Sequence, residues 1–158
     1  MTQPARYALT FEQSDGVNGA VRLDLFVDHA SYWFYLDLLD DGFVAIRHDD
    51  VPRPRGSLLE VRADGLWAEL VCEVPDEHWS FGLEAFGLRL DGREEARTAE
   101  VGERVPVGFD LEWDTGAVVG ELLLGKARFP FDGRGAFEHV AGEPLVRTWA
   151  DFLDDLSR

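Results

Sequence analysis

Apolar and polar residues alternate with a period of two along most of the chain. From Gly19 to Val27, residues Val21, Leu23, Leu25 and Val27 fall on one face, while Arg22 and Asp24 fall on the other. Between Gly65 and Val74 the face is formed by Leu66, Ala68, Leu70, Cys72 and Val74. Between Val105 and Trp113 it is formed by Val107, Phe109, Leu111 and Trp113, opposite Asp110 and Glu112. Such runs are half-buried antiparallel strands. The same reading predicts strands near 6–13, 31–40, 42–49, 57–63, 79–91, 117–124, 126–131 and 133–140.

Turn chemistry falls between these runs, at Asp40-Asp41-Gly42, Ala63-Asp64-Gly65, Asp91-Gly92 and Phe131-Asp132-Gly133. Pro52 and Pro54 make the stretch from Asp49 to Gly56 a loop, and the charged segment from Gly92 to Glu103 reads as another. After Trp79 the apolar phase slips by one residue, from Phe81, Leu83 and Ala85 to Phe86, Leu88 and Leu90, which predicts a β-bulge. Only at the tail does the period change. Leu145, Trp149, Phe152, Leu153 and Leu156 lie at helical spacing over about 144–156, with Glu143 and Pro144 suited to its start.

Roughly nine to eleven short strands and one short helix predict an all-β fold, an antiparallel β-barrel with a C-terminal helix. At 158 residues, with no linker or repeat, 1–158 reads as a single domain. The apolar face of the tail helix needs a cover, which one end of the barrel or a second subunit would supply. A homodimer is the expectation.

Charge narrows the partners. Fifteen basic against 31 acidic residues leave a net charge of −16, which repels phosphate backbones and anionic headgroups. No run reaches the ~18 apolar residues of a membrane helix. The start, Met1-Thr2-Gln3-Pro4-Ala5-Arg6, lacks the basic and apolar regions of a secretory signal, so a cytoplasmic location is expected. The single cysteine, Cys72, excludes an internal disulfide and a multi-cysteine zinc site, and its place on an apolar strand face predicts inert packing.

The motifs of phosphate loops, dinucleotide folds, zinc proteases and serine hydrolases are absent. No cofactor and no metal is expected. Of the four histidines, His29 and His48 sit at strand ends among acidic residues and read as surface groups. His78, beside Trp79, would either orient a polar group of an apolar ligand or hydrogen-bond the backbone in a turn. His139 shares the alternate face of Gly135 and Phe137. It would be a general acid/base in an apolar site, with Glu138 beside it, or a satisfied core histidine. Glu84, Asp110 and Glu112 fall opposite the apolar positions, outside. The aromatic load carries more information. Trp33, Trp67, Trp79, Phe81, Phe86, Phe109, Trp113, Phe129 and Phe137 recur through the strands and, with His78, are the candidate lining of a hydrophobic cavity.

The run from Gly65 to Leu90, with Gly102-Glu-Arg-Val-Pro-Val-Gly-Phe-Asp-Leu-Glu-Trp113, resembles a group of actinobacterial proteins similar to the carotenoid 1,2-hydratase (hydroxyneurosporene synthase) superfamily. Domains of that superfamily look like lipocalins, and the likeness covers most of 20–140. It implies a lipocalin- or calycin-like barrel and an isoprenoid- or polyene-like ligand. The superfamily's Arg-Asp-His-x-Trp-Gly strand end is matched by Ala136-Phe-Glu-His-Val-Ala-Gly142. His139 takes the histidine position, Glu138 replaces the aspartate and Ala141 stands at the tryptophan. The resemblance implies fold and ligand class more than it implies the reaction. The expected function is binding of a hydrophobic small molecule, fatty-acyl, polyene or isoprenoid, in lipid or natural-product metabolism. A cofactor-free cyclase, isomerase or hydratase using His139 is the alternative.

Overall fold

The alternation builds one continuous antiparallel sheet of ten strands. The structure, a computed structural model, describes residues 3–145 and 147–154. The strands are β1 (Ala5–Glu12), β2 (Asn18–Leu25), β3 (Ala30–Asp37), β4 (Phe43–Val51), β5 (Leu59–Ala63), β6 (Leu66–Val74), β7 (His78–Leu90), β8 (Glu103–Asp114), β9 (Ala117–Leu124) and β10 (Ala127–Ala141). Their order in the sheet is β4-β3-β2-β1-β10-β9-β8-β7-β6-β5. In addition β4 pairs with β7, through Phe43 with Leu90, Val44 with Arg89 and Ala45 with Leu88. Beyond that point β7 hands its edge to β6, which pairs with it from Ala85 back to His78.

One face of the sheet carries the main core. Tyr7, Leu9 and Phe11 of β1 meet Val21, Leu23 and Leu25 of β2, Phe34 of β3, Phe81 and Leu83 of β7, and Phe109 and Leu111 of β8. The opposite face is not uniformly polar. Trp33, Tyr35, Phe43, Ala45 and Leu90 form a second apolar cluster there, covered by Ala96 and by Trp149, Phe152 and Leu153. Those covering residues belong to two short helices, α1 (Arg93–Ala96) and α2 (Trp149–Asp154). Trp149 packs edge-on against Trp33 at 5.6 Å, and its Nε1 donates to the Ala96 carbonyl at 2.8 Å.

This second layer explains three departures from the pattern reading. The one-residue slip after Ala85 is not a bulge, because β7 and β8 stay in register from His78–Asp114 to Arg89–Glu103. Leu88 and Leu90 are apolar because they face the outer cluster. The tail helix finds its cover on its own sheet, which removes the packing need that suggested a second subunit; Leu156 lies outside the described residues. The helix also begins at Trp149 and not at 144, and part of the segment from Gly92 to Glu103 is α1, not loop.

The two strands expected at 126–131 and 133–140 are one. β10 runs straight through Asp132-Gly133, pairing with β9 as far as Arg134 and with β1 from Arg134 onward. Gly133 is required by proximity and not by a turn: a Cβ there would lie 2.2 Å from the Glu12 carbonyl oxygen. The loop expected from Asp49 starts later, since β4 continues to Val51. No helix among the described residues is long and apolar enough to cross a membrane.

Candidate functional site

Strand register gathers the aromatic residues of the core face at one end of the sheet. Tyr7 lies opposite His139 across β1 and β10, Trp79 lies opposite Trp113 across β7 and β8, and Cys72 lies opposite Trp79 across β6 and β7. Their rings interlock. Tyr7 stacks on His139 at 4.3 Å and reaches Trp79 at 5.8 Å. Phe137 touches Trp79 at 4.7 Å, Phe81 at 5.5 Å and Trp113 at 5.6 Å. Trp113 is anchored as well, with Nε1 donating to the Gly135 carbonyl at 3.1 Å. Rings at 4.5–7 Å in tilted arrangements add specific attraction beyond their buried area.

Deeper along the same face, buried rings pack against one another. Phe34 meets Phe109 at 5.3 Å and Phe11 meets Phe131 at 5.1 Å, while Phe129 is partly buried against the same cluster. Phe109 and Phe129 therefore serve the core. At the aromatic end, by contrast, a groove of about 590 Å³ opens between Tyr7, Gly56, Ser57, Leu58, Leu59, Leu70, Val71, Cys72 and Trp79. That volume lies in the range of small-molecule sites, and the walls are mostly apolar. Leu58 is 71% exposed on its rim. Burial raises the Tyr7 hydroxyl above its ordinary value, so the ring presents a neutral phenol near neutral pH.

His139 sits at this end with its ring flat on Tyr7 and edge-on to Trp79 at 6.1 Å. The residue is exposed, and its ring nitrogens make no hydrogen bond among the described residues. It faces the aromatic end as the alternation required, but it is not a buried core histidine. Glu138 projects to the other side and forms an ion pair with Arg6, so the two candidate catalytic residues are not brought together. Cys72 departs from expectation too. It shares the apolar face of β6, but β6 outruns its cover there, and Cys72 is exposed along the groove instead of packed in a core.

Four of the other sequence-derived candidates lie on the outer face. Trp33 belongs to the cluster under α2, and its Nε1 donates to Asp49 at 2.8 Å. His78 holds Glu112 across β7 and β8, Nε2 to Oε1, at 2.8 Å. Trp67 and Phe86 line a shallower groove of about 440 Å³ with Leu66, Pro106 and Leu123, where the Arg104 guanidinium lies 4.3 Å from the Phe86 ring. Glu84, Asp110 and Glu112 are exposed. His29 stacks on Phe26 and bonds Asp28 at 2.7 Å. His48 is half-buried, and that burial holds its imidazole below the ordinary value against the opposing pull of Asp49.

Sequence reasoning missed Tyr7, Leu58, Leu59 and Leu70 as groove residues. Tyr7 and Leu70 were visible only as members of alternating runs. The segment 56–58 comes to Tyr7 through the path of the loop before β5, which no local pattern encodes. Among the described residues, no three His, Cys, Asp or Glu side chains are grouped as a metal ion would need. The chain matches no protein-family model, no curated protein and no solved structure.

Proposed function

We propose that the protein binds an elongated hydrophobic small molecule, of fatty-acyl, polyene or isoprenoid type, at the aromatic end of its sheet. The observation that carries this reading is the apolar groove between Tyr7, Leu58, Leu70 and Trp79. Leu58 and Val71 are exposed beside this volume, over a floor of buried Tyr7 and Trp79, so an apolar chain lying there displaces water from both. The ladder from β4 round to β7, with the three β4–β7 pairs, supports a closed lipocalin-like barrel, as does the resemblance to the carotenoid hydratase superfamily. In this reading the ligand seats at the mouth of the barrel, where the groove opens, and not among the buried rings of Phe11, Phe34, Phe109 and Phe131. The acidic surface suits a cytoplasmic carrier in lipid or natural-product metabolism.

The test is titration with a neutral apolar dye, N-phenyl-1-naphthylamine, read through tryptophan emission. Of the five tryptophans, Trp79 lines the groove. Saturable binding that quenches or shifts emission is expected in the wild type and in Trp33→Phe, with the signal lost in Trp79→Phe. Absence of saturable binding, or a signal that survives Trp79→Phe, would overturn the proposal. A second reading, cofactor-free hydration or isomerisation of the same ligand, draws on one observation: the His139 imidazole stands at this end with both nitrogens unoccupied by protein groups among the described residues.

A further inference from the structure

We infer that the ligand of this groove carries an anionic head, a carboxylate or a phosphate, held by arginines of the β4–β5 connection and of β5; this rests on the binding reading above. Leu58 is shared by two grooves. On one side it borders the apolar volume with Tyr7 and Trp79. On the other it borders a volume of about 420 Å³ lined by Pro52, Arg53, Arg55, Glu60 and Arg62. The two volumes meet at one side chain, so a single molecule lying across Leu58 has an apolar half and a basic half available to it.

Charge makes the second groove distinctive. The chain as a whole is acidic, with 31 acidic against 15 basic residues. This groove reverses the sign: three arginines face one carboxylate, Glu60. Glu60 is engaged by Arg62 Nε at 2.7 Å, which leaves the rest of that guanidinium fork to solvent. Arg53 donates to the Val27 carbonyl at 3.3 Å, which ties the loop to the β2–β3 connection. Arg55 is exposed and makes no hydrogen bond or ion pair among the described residues. Guanidinium groups favour planar or tetrahedral oxyanions through paired N–H donors. On a surface that repels anions elsewhere, a local basic patch also sets where an anionic amphiphile enters and which end leads.

The experiment is displacement of N-phenyl-1-naphthylamine by tetradecanoate, tetradecyl phosphate and tetradecanol, which share a chain and differ in the head. Tetradecanoate or tetradecyl phosphate is expected to displace the dye at a concentration about tenfold below that of the alcohol, the scale of hydrogen bonds to a charged group. The better of the two anions assigns the head. The double variant Arg55→Gln/Arg62→Gln, both residues being exposed, is expected to close that gap while leaving tetradecanol unchanged. Equal displacement by acid, phosphate and alcohol, or a gap that survives in the double variant, overturns the anionic head and leaves the apolar groove standing. Displacement by none of the three overturns both.

Discussion

Tyr7 and His139, which are 132 residues apart in sequence, lie face to face across β1 and β10 with their rings 21° from parallel. Because the His139 ring is exposed and makes no hydrogen bond among the described residues, His139→Ala removes little beyond that stack and the edge contact with Trp79. The expected loss is about 0.5–1.5 kcal/mol, a few degrees of melting temperature for a chain of this size. In a binder the affinity falls a few-fold and no turnover appears in either protein. In an acid–base enzyme turnover falls by ~10²–10⁴ while affinity is kept. Unchanged stability, affinity and activity together would make His139 an ordinary surface residue.

Cys72 reports on the groove directly. It is the only cysteine of the chain and an exposed one, so alkylation by a maleimide is expected to go to completion on the native protein with a single adduct. Tetradecanoate at saturation should slow that reaction, because the thiol lines the same volume as Tyr7 and Trp79. A rate indifferent to saturating ligand, followed by mass spectrometry, would place the ligand elsewhere.

A buried ion pair gives a pH signature. Arg22 Nε donates to Asp24 Oδ2 at 2.9 Å on the outer face of β2, where both side chains are almost fully covered. Burial raises the Asp24 carboxyl above 3.8, the ordinary aspartate value, and outweighs the lowering by Arg22. A raised folded value means that the folded protein binds the proton more tightly than the unfolded chain does. The stability linked to this proton is fully present below pH 3.8 and is lost as pH rises through the raised value. The stability of the wild type minus that of Asp24→Asn, from urea unfolding, should therefore shrink as pH rises above 3.8 through the raised value. A difference that grows with pH would show that Arg22 outweighs burial.

The outer cluster should be worth as much as a piece of the main core. Trp149 is buried, packs on Trp33 and Phe152, and donates to Ala96. Trp149→Ala is expected to cost about 3–5 kcal/mol, and Trp149→Phe about 1 kcal/mol for the missing indole donor. A cost below 1 kcal/mol for the alanine variant, measured by urea unfolding, would mean that α2 contributes little to holding this face.

Tyr32 offers the opposite sign. Its hydroxyl is completely buried with no hydrogen-bond partner among the described residues, and burial pushes its acidity far below that of an ordinary tyrosine. Tyr32→Phe keeps the ring and removes an unsatisfied donor, so it should stabilise the protein by about 1 kcal/mol. A melting temperature lowered by this change would reveal a partner for the hydroxyl.

The strands were legible because each buries one face, and alternation such as Val21-Leu23-Leu25 states which. What misled was the second apolar layer. Leu88 and Leu90 break the alternation of β7 only if the other face is assumed to be wet, and nothing local says that Trp149 and Phe152 will cover it. Gly133 misled in a similar way. Next to Asp132 it has the form of a hairpin turn, but its role is to let β10 pass the backbone of β1, a contact 121 residues away in sequence. For the site, the aromatic residues of β7, β8 and β10 were visible from sequence. Their convergence with Tyr7 and with the loop before β5 depends on register and topology, which local patterns do not carry. The same patterns could not separate Trp79, at the groove, from Trp33, which props a helix.

The handover of β7 from β4 to β6 leaves the sheet with two exposed rims among the described residues. β5 pairs only with β6, and β4 beyond Ala45 pairs only with β3. Unsatisfied rims of this kind recruit neighbouring chains into ribbons unless something deters them. Here β5 is five residues long and carries Glu60 and Arg62, while the bare stretch of β4 carries Arg47, His48, Asp49 and Asp50. Charge at both rims, and brevity at β5, oppose edge-to-edge pairing between copies of the chain, so neutralising the β5 rim by Glu60→Val with Arg62→Val is expected to promote polymerisation through the backbone, read by light scattering.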